Sequence, residues 1–405
     1  MKTAVGYRVG WLIDGTGHPA VENRLIIVDA GRIQRILDAG APVPPEIEIV
    51  DWSKFTVFPA LIDSHAHLVL SGSTEPTVRQ NQINNAYAVR RSVIRRHLCQ
   101  YLHCGVTAVR DGGDHHGHAL RYKCDPANSS FSLVTIASAG RARHAPGRYG
   151  KLIGIAVKDG MSLSQSAFGK PTRRDHLKLV NSGLNSLTQF GVESRPQFDR
   201  NQLAGAVEAA REHGQSVMVH ANGHLPVKLA IDAGCASIEH GFFMGRDNMK
   251  RMAHRGIVWV PTAVTMKAYG DYLERQGHLS DASFGDISRK NLQHQLDQIA
   301  AARRLGVTLA LGTDAGSPGV HHGLAVKDEL TLFVAAGFSV EGAIRCASRN
   351  GALLMGLSDR GEIAPGMRAD FNAVAAVPEK VLDALHHIAH RVVEGRCLDV
   401  EHSPC

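Results

Sequence analysis

The stretch VFPALIDSHAH, residues 57–67, marks a change of texture in the chain. Before it, short apolar runs alternate with turns: AVGYRVGWLIDGTG, NRLIIVDAGRIQRIL and EIEIVDWSKFTVFPA, punctuated by Asp-Gly, Ala-Gly and Pro-Pro. That is hairpin-like β structure. From Phe58 onward, short apolar strands are separated by longer helical segments. The strand candidates are VFPALIDSHAH, GVTAVRDGG, SLVTIASAG, HLKLVNSG, QSVMVHANG, ASIEHG, GIVWVPT and GVTLALGTDAG. Several follow a glycine that can close the preceding helix.

Between Asp199 and Gly214, Asp199 is a plausible N-cap with Gln202 three residues on, and Leu203, Ala206, Val207 and Ala210 share one face. Residues 78–104 place Ala86, Val89, Val93, Leu98 and Tyr101 on a similar stripe. Eight strands alternating with helices predict an α/β fold, a (β/α)8 TIM barrel. A doubly wound sheet is the alternative. The hairpin texture returns in GEIAPGMRADFNAVAAV and HRVVEGRCL, so both chain termini are expected to form one small β-sandwich domain. The expected division is 1–58 for the first part of the sandwich, 59–364 for the barrel and 365–405 for the second part.

The chain has 405 residues, 44% hydrophobic and 20% charged, a composition suited to a large globular core. No apolar run approaches the roughly 18 residues of a membrane helix. The apolar residues near the N-terminus are broken by Gly, Arg and Asp, unlike a signal peptide, and a cytoplasmic location is expected. Seven scattered cysteines without CxxC spacing argue against a disulfide framework or a cysteine zinc site. The net charge of +7 is dispersed. It favours anionic small substrates over nucleic acid.

A barrel collects its chemistry at the C-terminal ends of its strands. There the first strand offers His65 and His67, whose alternate spacing turns both rings the same way. The fifth offers His220, the sixth His240 and the eighth Asp314. Imidazole and carboxylate together suit zinc or a similar divalent ion. Any one of 23 histidines could fall at a strand end by chance. The ordered set on separate strands is a stronger signal. The fourth strand raises a sharper question, because HLKLVNSG spends the middle of an apolar run on Lys178. Either the ammonium snorkels to water or the group is no ordinary lysine.

This arrangement resembles the amidohydrolase superfamily over nearly the whole chain. The resemblance is carried by FPALIDSHAH, HLKLVNSG, LGTDAG and GEIAPGMRADFNAV. It implies that His65, His67 and Asp314 bind one metal and that His220 and His240 bind a second. It also implies that Lys178 reacts with carbon dioxide to give a carbamate, a carboxylated lysine whose two oxygens bridge the ions. Burial would supply the neutral amine which that reaction needs. Two divalent ions, zinc above all, would then share a hydroxide nucleophile. Asp314 would carry its proton to the leaving amine.

Within the superfamily, the pattern is similar to Xaa-Pro dipeptidases and arginine or lysine carboxypeptidases, and less so to imidazolonepropionase, whose single-metal site does not call for Lys178. Ring deaminases usually carry a glutamate where this chain has Gly223. The peptidases often carry a tyrosine where this chain has Asn222, which becomes a candidate substrate contact. His144 is the expected oxyanion donor and a second catalytic residue beside Asp314. Arg141, Arg143 and Arg148 crowd the same AGRARHAPGRYG segment, and Arg143 is the expected carboxylate contact. The histidines of DGGDHHGH, residues 111–118, read as a loop leaving the second strand.

The expected activity is hydrolysis of an amide in a dipeptide, at a C-terminal residue or in an N-acyl amino acid. A non-peptide carbamate, urea, lactone or phosphoester is the alternative. A ring deaminase or a non-catalytic scaffold fits the residues less well. The expected partners are a small-molecule or short-peptide substrate, an anionic one being favoured by the net charge, and further copies of the chain as a homo-oligomer. Neither nucleic acid nor a membrane is expected.

Overall fold

A computed structural model describes residues 4–84, 86–131, 133–186, 189–275 and 282–398. Residues 399–405, with Cys405, lie outside that set. The N-terminal hairpins form strands β1 (Val5–Leu12), β2 (Val21–Asp29), β3 (Arg32–Asp38) and β4 (Glu48–Pro59). The barrel region holds β5 (Leu61–Ala66), β6 (Val106–Asp111), β7 (Thr135–Ser138), β8 (Ala142–His144), β9 (Gly154–Ala156), β10 (His176–Val180), β11 (Ser216–Ala221), β12 (Ser237–His240) and β13 (Val258–Val260). The C-terminal strands are β14 (Phe371–Val374), β15 (His390–Val393) and β16 (Arg396–Leu398).

Both ends of the chain meet in one seven-stranded sheet, ordered β16-β15-β14-β4-β1-β2-β3. One sheet thus stands where a two-layered sandwich was expected, and Arg32 forms an isolated antiparallel bridge with Arg368. Its core is aromatic: Tyr7 lies tilted against Trp52 at 4.5 Å and meets Phe371 edge-on at 5.4 Å. Such pairs contribute about 0.5–1.5 kcal/mol each beyond their buried area.

The barrel wall is parallel. One run is β5-β6-β7; the other is β13-β12-β11-β10-β8-β9. The runs join where Asp175 N donates to Ser138 O at 3.0 Å, beside the β8–β10 pair Arg143 with Leu179. An irregular eighth strand closes the ring. Its Ala310 N donates to Trp259 O, while Ser64 N donates to Leu311 O and His67 N to Ala315 O. Hence all eight expected strands take their places in one closed wall.

The helix Arg200–Glu212 begins as its sequence requires, with a reciprocal capping box between Asp199 and Gln202, a device worth about 1 kcal/mol. Leu203, Ala206 and Ala210 are its buried face. The segment 78–104 differs from expectation. It forms two helices, Pro76–Asn84 and Tyr87–His103, because Ala86 is extended (ψ 159°). The second buries Ile94, Leu98 and Tyr101 but leaves Val89 exposed. Cys99 is disulfide-bonded, contrary to the expectation from spacing. Among the described residues, no helix is long and apolar enough to cross a membrane.

Candidate metal centre

The six side chains singled out on separate strands converge on one cavity of about 460 Å³. His65, His67, Lys178, His220, His240 and Asp314 all line it. Strand parity explains part of the convergence. On β10, Lys178 faces the axis while Leu177 and Leu179 pack outward into the main core, with Lys178 opposite Met218 and Val180 opposite His220. His240 pairs with Ala221, which packs outward, so its entry to the cavity follows from its left-handed backbone (φ 68°) rather than from parity. The rings of His65 and His240 lie 4.9 Å apart, and those of His220 and His240 4.6 Å apart.

Each histidine is oriented through one of its ring nitrogens. His65 Nδ1 is 2.8 Å from Glu239 Oε2, His67 Nδ1 2.8 Å from Gly113 O, and His240 Nδ1 2.7 Å from Thr262 Oγ1. His220 is held in the opposite sense, by Nε2 at 3.0 Å from Gly183 O. Such outer contacts fix the tautomer and direction of metal-binding imidazoles. Nε2 of His65 and His67 lie 3.4 and 3.2 Å from Asp314 Oδ1. These three residues place ligand atoms within 4.8 Å of one another.

Glu239 is itself anchored. It is fully buried, and its Oε1 accepts from Ser237 Oγ at 2.5 Å and from Arg110 Nη1 at 3.3 Å. Beneath His65, Asp63 accepts from the backbone of His65 and Thr313 and from the hydroxyls of Thr313 and Tyr101. The backbone is equally constrained. A Cβ on Gly112 would stand 2.8 Å from His67 Cε1, and one on Gly312 would stand 2.8 Å from His65 Cβ. His240 (φ 68°), Thr262 (φ 48°) and Asp314 (φ 57°) all occupy the left-handed region. Non-glycine residues enter it at a cost that surrounding contacts must offset, typically at functional sites.

The residues fit a cationic guest. Lys178 is fully buried, and its Nζ has no hydrogen-bond partner among the described residues; nor has His65 Nε2. Burial lowers the Lys178 pKa to about 8, although Glu239 and Asp314 pull the other way. Burial would raise the Asp314 carboxyl. The hydrogen bond from His67 and the charges on His65 and His67 overcome this and hold it well below the usual carboxylate range. Burial keeps His220 low, at about 4, so its ring is neutral and able to bind a metal. A buried amine amid four imidazoles and a carboxylate is a donor set suited to divalent ions.

The other expected contacts are distributed differently. Asn222 lines the cavity, but its Oδ1 accepts from Phe242 N at 3.1 Å and its backbone N–H donates to Ser182 Oγ. Arg143 and His144 do not line the cavity. The expected loop is strand β8, and β8 pairs Arg143 with outward-facing Leu179. The Arg143 guanidinium therefore turns to the outer side of the wall, where it donates to the carbonyls of Arg141 and Ser166. His144 is buried at the strand end with Nδ1 2.9 Å from Ala145 O. The cavity instead receives Tyr149, whose ring is 5.3 Å from that of His220, and Arg79 from the helix Pro76–Asn84. Burial raises the Tyr149 phenol far enough to keep its proton. Leu152, Phe242, Met266 and Tyr269 make much of the remaining wall apolar.

Comparison with known proteins agrees with this architecture. A solved Xaa-Pro dipeptidase with methionine in its active site superposes with a TM-score of 0.80, at 25% identity, covering 98% of this chain and all of that one. An uncharacterized protein of Mycobacterium tuberculosis is 25% identical over 84% of each chain. The ochratoxinase of Aspergillus niger is 28% identical over 55% of this chain and 46% of its own. The model of the amidohydrolase family matches residues 56–396. The chain therefore belongs to the amidohydrolase family, as a hydrolase of carbon–nitrogen bonds.

Proposed function

We propose that the protein is a metal-dependent amidase acting on an N-acyl amino acid or dipeptide. The observation that carries the reading is the buried, unpartnered amine of Lys178 at the centre of the histidine cluster. His65, His67 and Asp314 would hold one divalent ion, and His220 and His240 another, with zinc favoured by the imidazole-rich set. Bound there, the ions would lower the pKa of water and polarise a scissile carbonyl. Lys178 would serve as a carbamate: its nitrogen forms a bond to the carbon of CO2 and releases one proton, and the resulting anion balances the cationic charge.

The chain's own groups supply the rest. Asp314 accepts the proton of the attacking water at its carboxylate and returns it to the leaving nitrogen. Its low pKa keeps it ionised. Tyr149 keeps its O–H and serves as the donor to the developing oxyanion, in the role first assigned to His144. Arg79 presents a guanidinium to a substrate carboxylate, anchored by Nη1 on Ser73 O and Gly316 O. The apolar wall at Phe242, Met266 and Tyr269 takes a bulky acyl or side group. The names of two relatives, Xaa-Pro dipeptidase and ochratoxinase, accord with this reading.

The test is metal analysis of the purified protein joined to a screen of dipeptides and N-acyl amino acids. About two metals per chain and cleavage of amides bearing an apolar group beside a carboxylate are expected. Arg79→Gln should raise KM for these substrates with little change in kcat. One metal per chain, with ammonia released from a heterocycle, would overturn the proposal.

A further inference from the structure

A second cavity, of about 630 Å³, opens on the outer side of the barrel wall, behind β8. Its lining includes Arg141, Arg143, Lys158, Lys170 and Arg174, together with His116, and among the described residues contains no acidic one. Two of these cations are buried. Arg143 is 7% exposed and Arg174 5%. Among the described residues their hydrogen bonds go to backbone carbonyls and one amide, not to a carboxylate. Arg174 donates Nε to Gln215 Oε1 at 2.8 Å and Nη1 to Ala167 O at 2.9 Å, while its Nη2 is buried with no hydrogen-bond partner among the described residues. Phe168 stacks 4.3 Å beneath its guanidinium carbon.

A structural role accounts for part of this. The carbonyls of Ser166 and Ala167 belong to the last turn of the helix Leu163–Phe168, and arginines satisfy such carbonyls well. It does not account for the orphaned Nη2, or for five basic side chains converging where no carboxylate answers them. Mutual repulsion bears on both buried groups. After burial, Arg141 is the next influence lowering Arg143, and Arg143 the next influence lowering Arg174, each to about 10. Desolvated, uncompensated charge of this kind is costly unless an anion completes it.

We propose that this cavity is a second ligand site, distinct from the metal centre, which takes a small polyanion bearing phosphate or carboxylate groups. Planar guanidinium forks match the paired oxygens of either group, and Lys158 and Lys170 at the mouth draw the ligand in. Through β8 the site touches the strand that carries Lys178, since Arg143 pairs with Leu179. The proposal does not depend on the reaction assigned to the metal centre.

The test is calorimetric titration of the full metal-loaded protein with inorganic phosphate and, separately, with malonate, at fixed ionic strength. Saturable binding of one equivalent is expected. Lys158→Gln combined with Lys170→Gln, both exposed and safe for folding, should weaken it about tenfold, and Arg174→Gln should abolish it. Asp314→Asn should leave it unchanged. Preference for phosphate or for malonate would identify the source of the anion. Binding lost in Asp314→Asn and kept in the lysine pair would place the anion at the metal centre and overturn the proposal. So would the absence of saturable binding with both probes.

Discussion

The barrel mouth and the terminal sheet both bury large side chains, yet they bury opposite chemistry. In the sheet, Tyr7, Trp52 and Phe371 pack ring against ring, and the buried groups contribute to folding. At the mouth, Lys178, Glu239, Arg110 and four histidines are withdrawn from water, and two residues bearing their side chains into the cavity hold left-handed backbone. Burial there costs stability, and the return is a set of groups with altered protonation. The terminal sheet thus supports what the mouth destabilises, and mutations in the two regions should separate activity from stability.

The largest effect is expected from Lys178→Ala. Turnover should fall below detection, with partial recovery on adding short carboxylates, while resistance to urea stays equal or rises because a buried amine has gone. Retained turnover in steady-state assays would show the lysine to be ordinary. Phe371→Ala should do the reverse. It should cost about 3–5 kcal/mol in denaturant unfolding, yet leave kcat per folded molecule intact. A parallel loss of kcat would mean that the two regions are not independent.

A smaller change is expected from Glu239→Gln, which removes the charge that directs His65. Competition with a chelator should show metal affinity reduced about 10–100-fold. Unchanged affinity would make the contact merely structural. The last test is a pH profile. Only the neutral amine reacts with CO2, and the Lys178 pKa is about 8 rather than the usual 10.5. At constant dissolved CO2, reactivation of metal-stripped protein should therefore quicken about tenfold per pH unit below 8 and level off above it. A rise continuing to pH 10 would contradict the lowered value.

The eight-strand pattern and the strand-end residues were legible because both follow from period and parity. HLKLV puts a cation where a wall residue should be apolar, and that conflict singles out Lys178. The same test, applied to Glu239 in ASIEH and to Arg110 in GVTAVRD, would have found the group that directs His65 and the cation that anchors it. Arg143 was misplaced for a parity reason. The third barrel strand bends at Ala139 and Gly140 and resumes as β8, so residues assigned to a loop obey the in-and-out alternation of a wall. Tyr149 and Arg79 could not be found from pattern. The first lies on irregular chain and the second on a polar helix, and only the packed fold brings both to the cavity.

The seam between β4 and β14 has a consequence for synthesis. Phe371 pairs with Pro59, and β4 runs almost directly into β5, the first barrel stave. Roughly 310 residues separate the partners, so a ribosome working at about 5–20 residues per second leaves that edge open for some 15–60 s. For that interval the nascent chain carries an uncapped β ribbon next to a half-built cylinder, and chaperone engagement is most useful there.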